Sequence, residues 1–340
     1  MLNKGVIAKS VTISNSYLIV ISDDIPYLFI IDLNKRNIRK IKCPDGTIEK
    51  NIFSGVYGEK NNVALVPQKG KKIWIYDITL EIWVDINISN YIKEEQDCKF
   101  LGGRLVNGML FVFGYNFNGV LAIDIYSHEI RVICRNVSFE YLSGISSVFW
   151  RNNIILPMRS QNKMILIDTL SLGYKLVNCN IESELANDGI TFDGNNFYIL
   201  KNSGNKIFRV NKEFEFIEKI ELDCFFDNQS SYFCGIEWFN NKLVLFGDCG
   251  YSYIYDIKAK NSRIFQESVY HVKKLPGLRL AVCKFGKIEV WDRECNTIGE
   301  YTVELTENEI ENYMISTGLN KLFHENKIFN LDGMIKVINK

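Results

Sequence analysis

The sequence is short of several things at once, and each shortage closes off a class of protein. There are 5 prolines in 340 residues against 13% aromatics, so the chain is neither a disordered segment nor a flexible linker. Lys and Arg total 40, as do Asp and Glu, giving a formal net charge of zero. A generic polyanion binder needs a basic excess to displace counterions, so nucleic acid is not an expected partner. No apolar run approaches the roughly 18 residues of a membrane span. The amino-terminal stretch "MLNKGVIAKSVTISNSYLIVISDD" is interrupted by Lys9, Ser10, Thr12, Ser14, Asn15 and Ser16 before an apolar signal region can form. Neither a signal peptide nor a membrane partner is therefore expected, and the expected location is cytoplasmic.

Histidine is scarce as well: His128, His271 and His324 are the whole set. No HxH, HExxH or mixed His/Cys spacing occurs, so no closed metal site is expected. GxSxG, P-loop and GxGxxG signatures are missing too, so no cofactor is expected and the reading leans away from an enzyme. The 9 cysteines form no CxxC pair and sit singly in or beside apolar stretches such as "RVICR" and "RLAVCKF". They read as buried reduced thiols, used as small apolar side chains.

What the sequence does have is a repeat. An apolar burst closed by aspartate recurs at Asp32, Asp77, Asp124, Asp168, Asp256, Asp292 and Asp332, with Asn211 filling the slot between Asp168 and Asp256. Successive steps are 45, 47, 44, 43, 45, 36 and 40 residues. A period of this size signals propeller blades or helical repeats. Each unit divides into four short segments rich in β-branched and aromatic residues, and "FCGIEWF", "KLVLFG", "YIYDI" and "RIFQ" show the pattern. Helical periodicity is confined to "ISNYIKEEQ" and "ELTENEIENY", both between units. Asn61-Asn62, Asn107-Gly108, Asn152-Asn153, Asn195-Asn196 and Asn240-Asn241 mark a tight hairpin between the first two segments, since Asn and Gly tolerate positive φ. The aspartates should cap the turn between segments three and four with their carboxylates.

The expected fold is all-β: a single β-propeller domain over residues 1–340, built of four-stranded antiparallel blades. Eight blades are predicted, with first strands near Val6, Ile52, Leu101, Gly144, Gly189, Gly235, Val269 and Tyr313; seven is the alternative. The units "GGRLVNGMLFVFGYNFNGVLAIDIYSHEIRVI" and "CGIEWFNNKLVLFGDCGYSYIYDIKAKNSRIF" resemble Kelch repeats of the galactose-oxidase/Kelch propeller superfamily. The matching elements are a Gly before strand one, the Asn turn, a Gly closing strand two (Gly114, Gly247) and the apolar-Asp pair ending strand three. The Gly-Gly doublet usual after strand two is absent, and the fourth-strand Trp occurs only at Trp83. The resemblance implies mostly binding scaffolds, with some sugar-processing and oxidase members.

Two functional expectations follow. The first is a non-enzymatic scaffold for a protein or peptide of mixed charge. It would use the face formed by interblade loops and strand-two-to-three loops, where basic loops sit within an acidic set. Lys71, Lys72 and Arg159 supply charge there, and Tyr115, Phe117, Phe225, Phe226, Tyr232 and Tyr251 supply aromatic anchors. The second is a small polar ligand, carbohydrate-like, bound or processed in the central channel. Arg104, Glu237 and His271 lie on first strands and are its candidate binding or acid–base groups.

Overall fold

The computed structural model describes residues 5–8, 10–22, 25–44, 53–68, 70–92, 100–115, 119–135, 147–158, 162–179, 181, 187–201, 206–222, 233–247 and 250–310. Among these residues the chain forms seven four-stranded sheets, each a meander in which strands follow one another in chain order. They occupy residues 10–42, 53–87, 100–133, 148–178, 187–221, 235–265 and 271–302, and we number them blades one to seven. Every ladder is antiparallel, as in blade one, where Ser10 faces Ile21 and Tyr17 faces Asp32. The result is a β-propeller.

The strand order within a blade follows from where apolar residues lie. Second and third strands are almost wholly apolar and buried, as in Tyr17–Ile21 and Tyr27–Asp32. Both of their faces are covered by neighbouring blades, so alternation disappears. Fourth strands are the opposite: Asn37–Lys42 and Tyr174–Asn178 are largely exposed and carry Arg39, Lys40 and Lys175. Polar and charged residues on such an outer edge discourage pairing with other chains. First strands come next to the axis. Cysteine takes part in this packing as a small apolar residue: Cys43, Cys134 and Cys179 each follow a fourth strand directly and are buried, and burial pushes their thiols up.

The aspartate repeat has the role expected of it in all seven blades. Asp77 Oδ1 accepts from the amides of Thr79 and Leu80, both at 2.8 Å. Asp32, Asp124, Asp168, Asp256 and Asp292 do the same for their own turns, and Asn211 Oδ1 replaces a carboxylate oxygen in blade five. The turn then closes on a left-handed residue: Arg36, Glu81, His128, Leu172, Phe214, Lys260 or Cys295. His128 is thereby a turn residue. The Asn hairpin holds less uniformly. Asn107-Gly108 and Asn240-Asn241 both take positive φ, but blade four turns on Arg151-Asn152, and blade two on Lys60 and Asn61. In blade five the expected Asn195-Asn196 turn is a longer loop, in which both amides donate to Asp193 Oδ1 at 2.6 Å.

Among the described residues there are seven blades; the repeat predicts eight, with seven as the alternative, and the eighth does not appear among them. Blade one starts at Ser10 and not near Val6. Residues 5–7 instead reach across to blade seven: Gly5 and Ile7 bridge Glu304 and Phe285, and Val6 N–H donates to the Val303 carbonyl at 3.1 Å. Leu18, Val20, Phe29 and Ile31 of blade one then share one buried cluster with Ala281, Cys283, Ile288 and Val290 of blade seven. That direct contact leaves no room for a blade between them. Val303, Leu305 and Ile310 join the same cluster. A helical turn begins at 307, where Thr306 and Glu309 cap each other reciprocally, and Glu309 also pairs with Lys40 of blade one. The eighth unit, from Tyr313 through Ser316, His324 and Asp332, lies outside the described residues.

Two outcomes follow. Asp77→Ala removes the acceptor for two amides and should cost about 1 kcal/mol in a denaturant titration, while Asp77→Asn should recover most of it. Because the seam is closed by residues up to Ile310, a chain ending at residue 310 should stay soluble and unfold cooperatively in calorimetry. Aggregation of that fragment would show that closure requires later residues.

Candidate functional site

The first strand of each blade is an edge strand whose channel side has no ladder partner, so its amides need acceptors from elsewhere. The neighbouring blade supplies them. Ser10 Oγ accepts from Val56 N–H at 3.1 Å, and Thr12 Oγ1 accepts from Gly58 N–H at 3.0 Å. Tyr57 Oη accepts from Gly103 N–H at 2.7 Å, and Thr191 Oγ1 accepts from Trp238 N–H at 2.8 Å. Glu59 receives the amides of Asn107 and Gly108 at 2.8 and 2.6 Å. These bonds stitch inner strands together and account for much of the polarity near the axis. Close backbone packing accounts for glycines on the inner strands. A Cβ on Gly103 would lie 2.5 Å from the Phe111 carbonyl oxygen, and one on Gly189 would lie 3.0 Å from the Ile236 side chain of the next blade. Burial pushes the Tyr57 hydroxyl up to about 12, so it stays protonated in this role.

Inside the ring of inner strands lies a cavity of about 760 Å³, lined by residues of all seven blades. It contains Arg104, Glu237 and His271, the three channel candidates, so the structure does bring them to one place. It also contains Lys273 and Lys274, which the sequence reading passed over although they follow His271 in "SVYHVKK". The signal was available: strand alternation puts Lys273 on the same side as His271.

The charges are unevenly satisfied. Glu237 accepts from the Thr191 hydroxyl at 3.1 Å and pairs with Lys274 at 2.9 Å. Arg104 donates through Nη1 to the Ser147 carbonyl at 2.6 Å and to its hydroxyl at 3.2 Å, and lies beside the Phe149 ring. Burial pulls the Arg104 guanidinium down from its ordinary value, partly offset by Glu237 and Tyr57. Lys273 has no hydrogen-bond or ion-pair partner among the described residues; burial and then the Arg104 charge pull its ammonium down, with Glu237 opposing. His271 packs against the Phe246 ring, and its Nδ1 is buried with no partner. Burial, helped by the Lys273 charge, lowers the imidazole to about 4, so it is neutral at pH 7.

The loop face is less complete. Lys72 pairs with Asp85 of its own blade at 2.9 Å and lies over the Trp74 ring, so its charge is already engaged. Lys71 accepts the Ile88 amide at its carbonyl, Tyr115 is half-buried and Tyr251 is exposed. Phe117, Arg159, Phe225, Phe226 and Tyr232 lie outside the described residues. Among the described residues no cluster of three His, Cys, Asp or Glu could hold a metal ion, and no helix is long and apolar enough to cross a membrane.

No known family profile matches the chain, and no curated protein sequence does. Solved structures do. A catalytically inactive virginiamycin B lyase from Staphylococcus aureus with quinupristin superposes with TM-score 0.65 at 14% identity, over 89% of this chain and 97% of that one. The computationally designed Ika8 protein gives 0.58 at 11% identity, over 90% and 91%. The extracellular domain of a putative one-component system from B. thetaiotaomicron gives 0.65 at 11% identity, over 89% of this chain but 42% of that one. At these identities the likeness is one of fold.

Because His271 is held neutral in the folded protein, its unfolded form takes up a proton first, near 6.5 against about 4. A folded-state value below the unfolded one means a loss of stability as pH falls through that window. The Tm of the native protein should therefore drop between pH 7.5 and pH 5 by more than that of His271→Gln. Equal drops would show that the imidazole is not held neutral.

Proposed function

We propose that this propeller is a binding protein whose ligand, a small polar molecule, sits in the central channel. One observation carries the reading: a cavity of about 760 Å³ into which Arg104, Glu237, Lys273 and His271 converge from blades three, six and seven. Its size falls within the range of small-molecule pockets. Stitching between blades uses up Thr191, Tyr57 and the Ser147 contacts of Arg104, while the Lys273 ammonium and His271 Nδ1 remain free to meet a ligand. Catalysis finds less support. An acid–base pair needs two titratable groups free to exchange protons, and Glu237 is held by Lys274 and Thr191. The lyase likeness concerns the fold, so we carry neither its reaction nor its substrate to this chain.

A scaffold role for the loop face remains a second reading. What favours it is the exposed Tyr251 and the spread of aromatic residues at Tyr115, Phe117, Phe225, Phe226 and Tyr232. The Kelch-type reading of the repeat belongs to the same proposal, supported by the glycine-led first strands and the capped strand-three turns.

The test is co-crystallisation with a mixed panel of sugars, carboxylates and phosphate esters. Density between Arg104 and His271 is the expected result. Density confined to the loop face would overturn the channel reading in favour of the scaffold.

A further inference from the structure

We infer that the channel ligand is anionic: a small molecule that presents a carboxylate or phosphate oxyanion to Lys273 and the free side of the Arg104 guanidinium, with His271 as a neutral hydrogen-bonding neighbour. This rests on the channel reading above and names the ligand class for it.

The charge balance of the cavity carries the inference. Its described lining includes three cations, Arg104, Lys273 and Lys274, against one carboxylate, Glu237. That carboxylate is already committed to Lys274 at 2.9 Å and to the Thr191 hydroxyl at 3.1 Å. Arg104 and Lys273 are left with no carboxylate of their own among the described residues, and Glu237 only partly offsets the burial that disfavours each charge. A half-buried ammonium with no protein acceptor is less well compensated than a paired one. Perturbed titratable groups gathered in a cleft are typical of functional sites.

The donor geometry suits an oxyanion. Arg104 spends Nη1 on Ser147 and keeps the rest of its planar fork without a protein acceptor among the described residues. A guanidinium fork and an ammonium together match two oxygens of a carboxylate or phosphate. The unpartnered Nδ1 of His271 adds a hydrogen bond without adding charge. A neutral sugar, the ligand suggested by sequence, would leave the Lys273 charge unmet. Phe53, Phe149 and Phe192 line the same cavity and can cover an apolar or planar remainder of the ligand.

The experiment is isothermal titration of the full chain with inorganic phosphate, succinate and trehalose, for the native protein and for Lys273→Met and Lys273→Arg. One or both anions should bind the native protein. Binding to phosphate alone points to a phosphate-bearing ligand, and binding to succinate alone to a carboxylate; either outcome supports the inference. Lys273→Met should weaken that binding about ten- to a hundredfold, the range expected for losing a charged hydrogen bond. Lys273→Arg should retain it within about tenfold. The ligand-free Lys273→Met protein should also melt higher than the native one, which separates lost binding from lost folding. Trehalose binding with no response to either anion would overturn the anionic assignment and leave the channel reading standing. Silence from all three probes would also overturn it, and the co-crystallisation panel then decides the channel reading separately.

Discussion

Seven inner strands meet around one axis, and each turns an unpaired edge toward it. The backbone amides on those edges must be satisfied in a space too narrow for another strand. In this protein side chains of the preceding blade do it: Ser10, Thr12, Tyr57 and Thr191 each accept an amide from the next inner strand, and Glu59 accepts two from the hairpin turn that follows it. The device ties each inner strand to the next, and glycine is required where neighbouring blades come close, as at Gly189 beside Ile236. It also decides what the channel can do. Polar groups engaged in stitching are spoken for, and only those left over can recognise something else.

Around that inner ring the rest of each blade is built in layers of decreasing burial. Second and third strands are buried on both faces, so each blade covers the apolar surface of two others. Burying each Leu, Ile or Phe side chain contributes roughly 1.5–3 kcal/mol, which makes these faces the main source of stability. Closing the ring leaves no blade with an uncovered face. The seam is reinforced by residues 5–7 on one side and by Val303, Leu305 and Ile310 on the other. Blade seven holds a second buried network, in which Glu289 accepts from Lys284, Lys287 and the Trp291 indole. There every charge has a partner, and the network reads as structural. Lys273, in the first strand of the same blade, is different because it has none among the described residues.

Much of the blade was legible in the sequence. The capping role of Asp32, Asp77, Asp124, Asp168, Asp256 and Asp292, and of Asn211 in their place, depends on residues two to four positions apart, and short-range rules are enough to see it. The burial of the second and third strands could be read from their continuous apolar runs for the same reason. The hairpin turns were read only in part: Asn152 takes the left-handed position together with Arg151, and Asp193 reorganises the turn around Asn195 and Asn196. A competing side-chain acceptor three residues away outweighed the Asn-Asn signal there.

Arg104, Glu237 and His271 were recognisable as polar residues in apolar first strands, and the cavity contains all three. Their partners were not recognisable. That Glu237 is held by Thr191 and Lys274 while Lys273 has no partner among the described residues depends on contacts between strands of different blades. The blade number was settled in the same long-range way. A period counts units, but closure depends on how far each blade turns relative to the next and on which apolar faces finally meet. By itself the sequence determined the blade, its turns and its layered burial, because these follow from neighbours within one hairpin. Only the tertiary structure decided that seven blades close the ring and which charges face the channel, because both depend on side chains brought together from strands far apart in the chain.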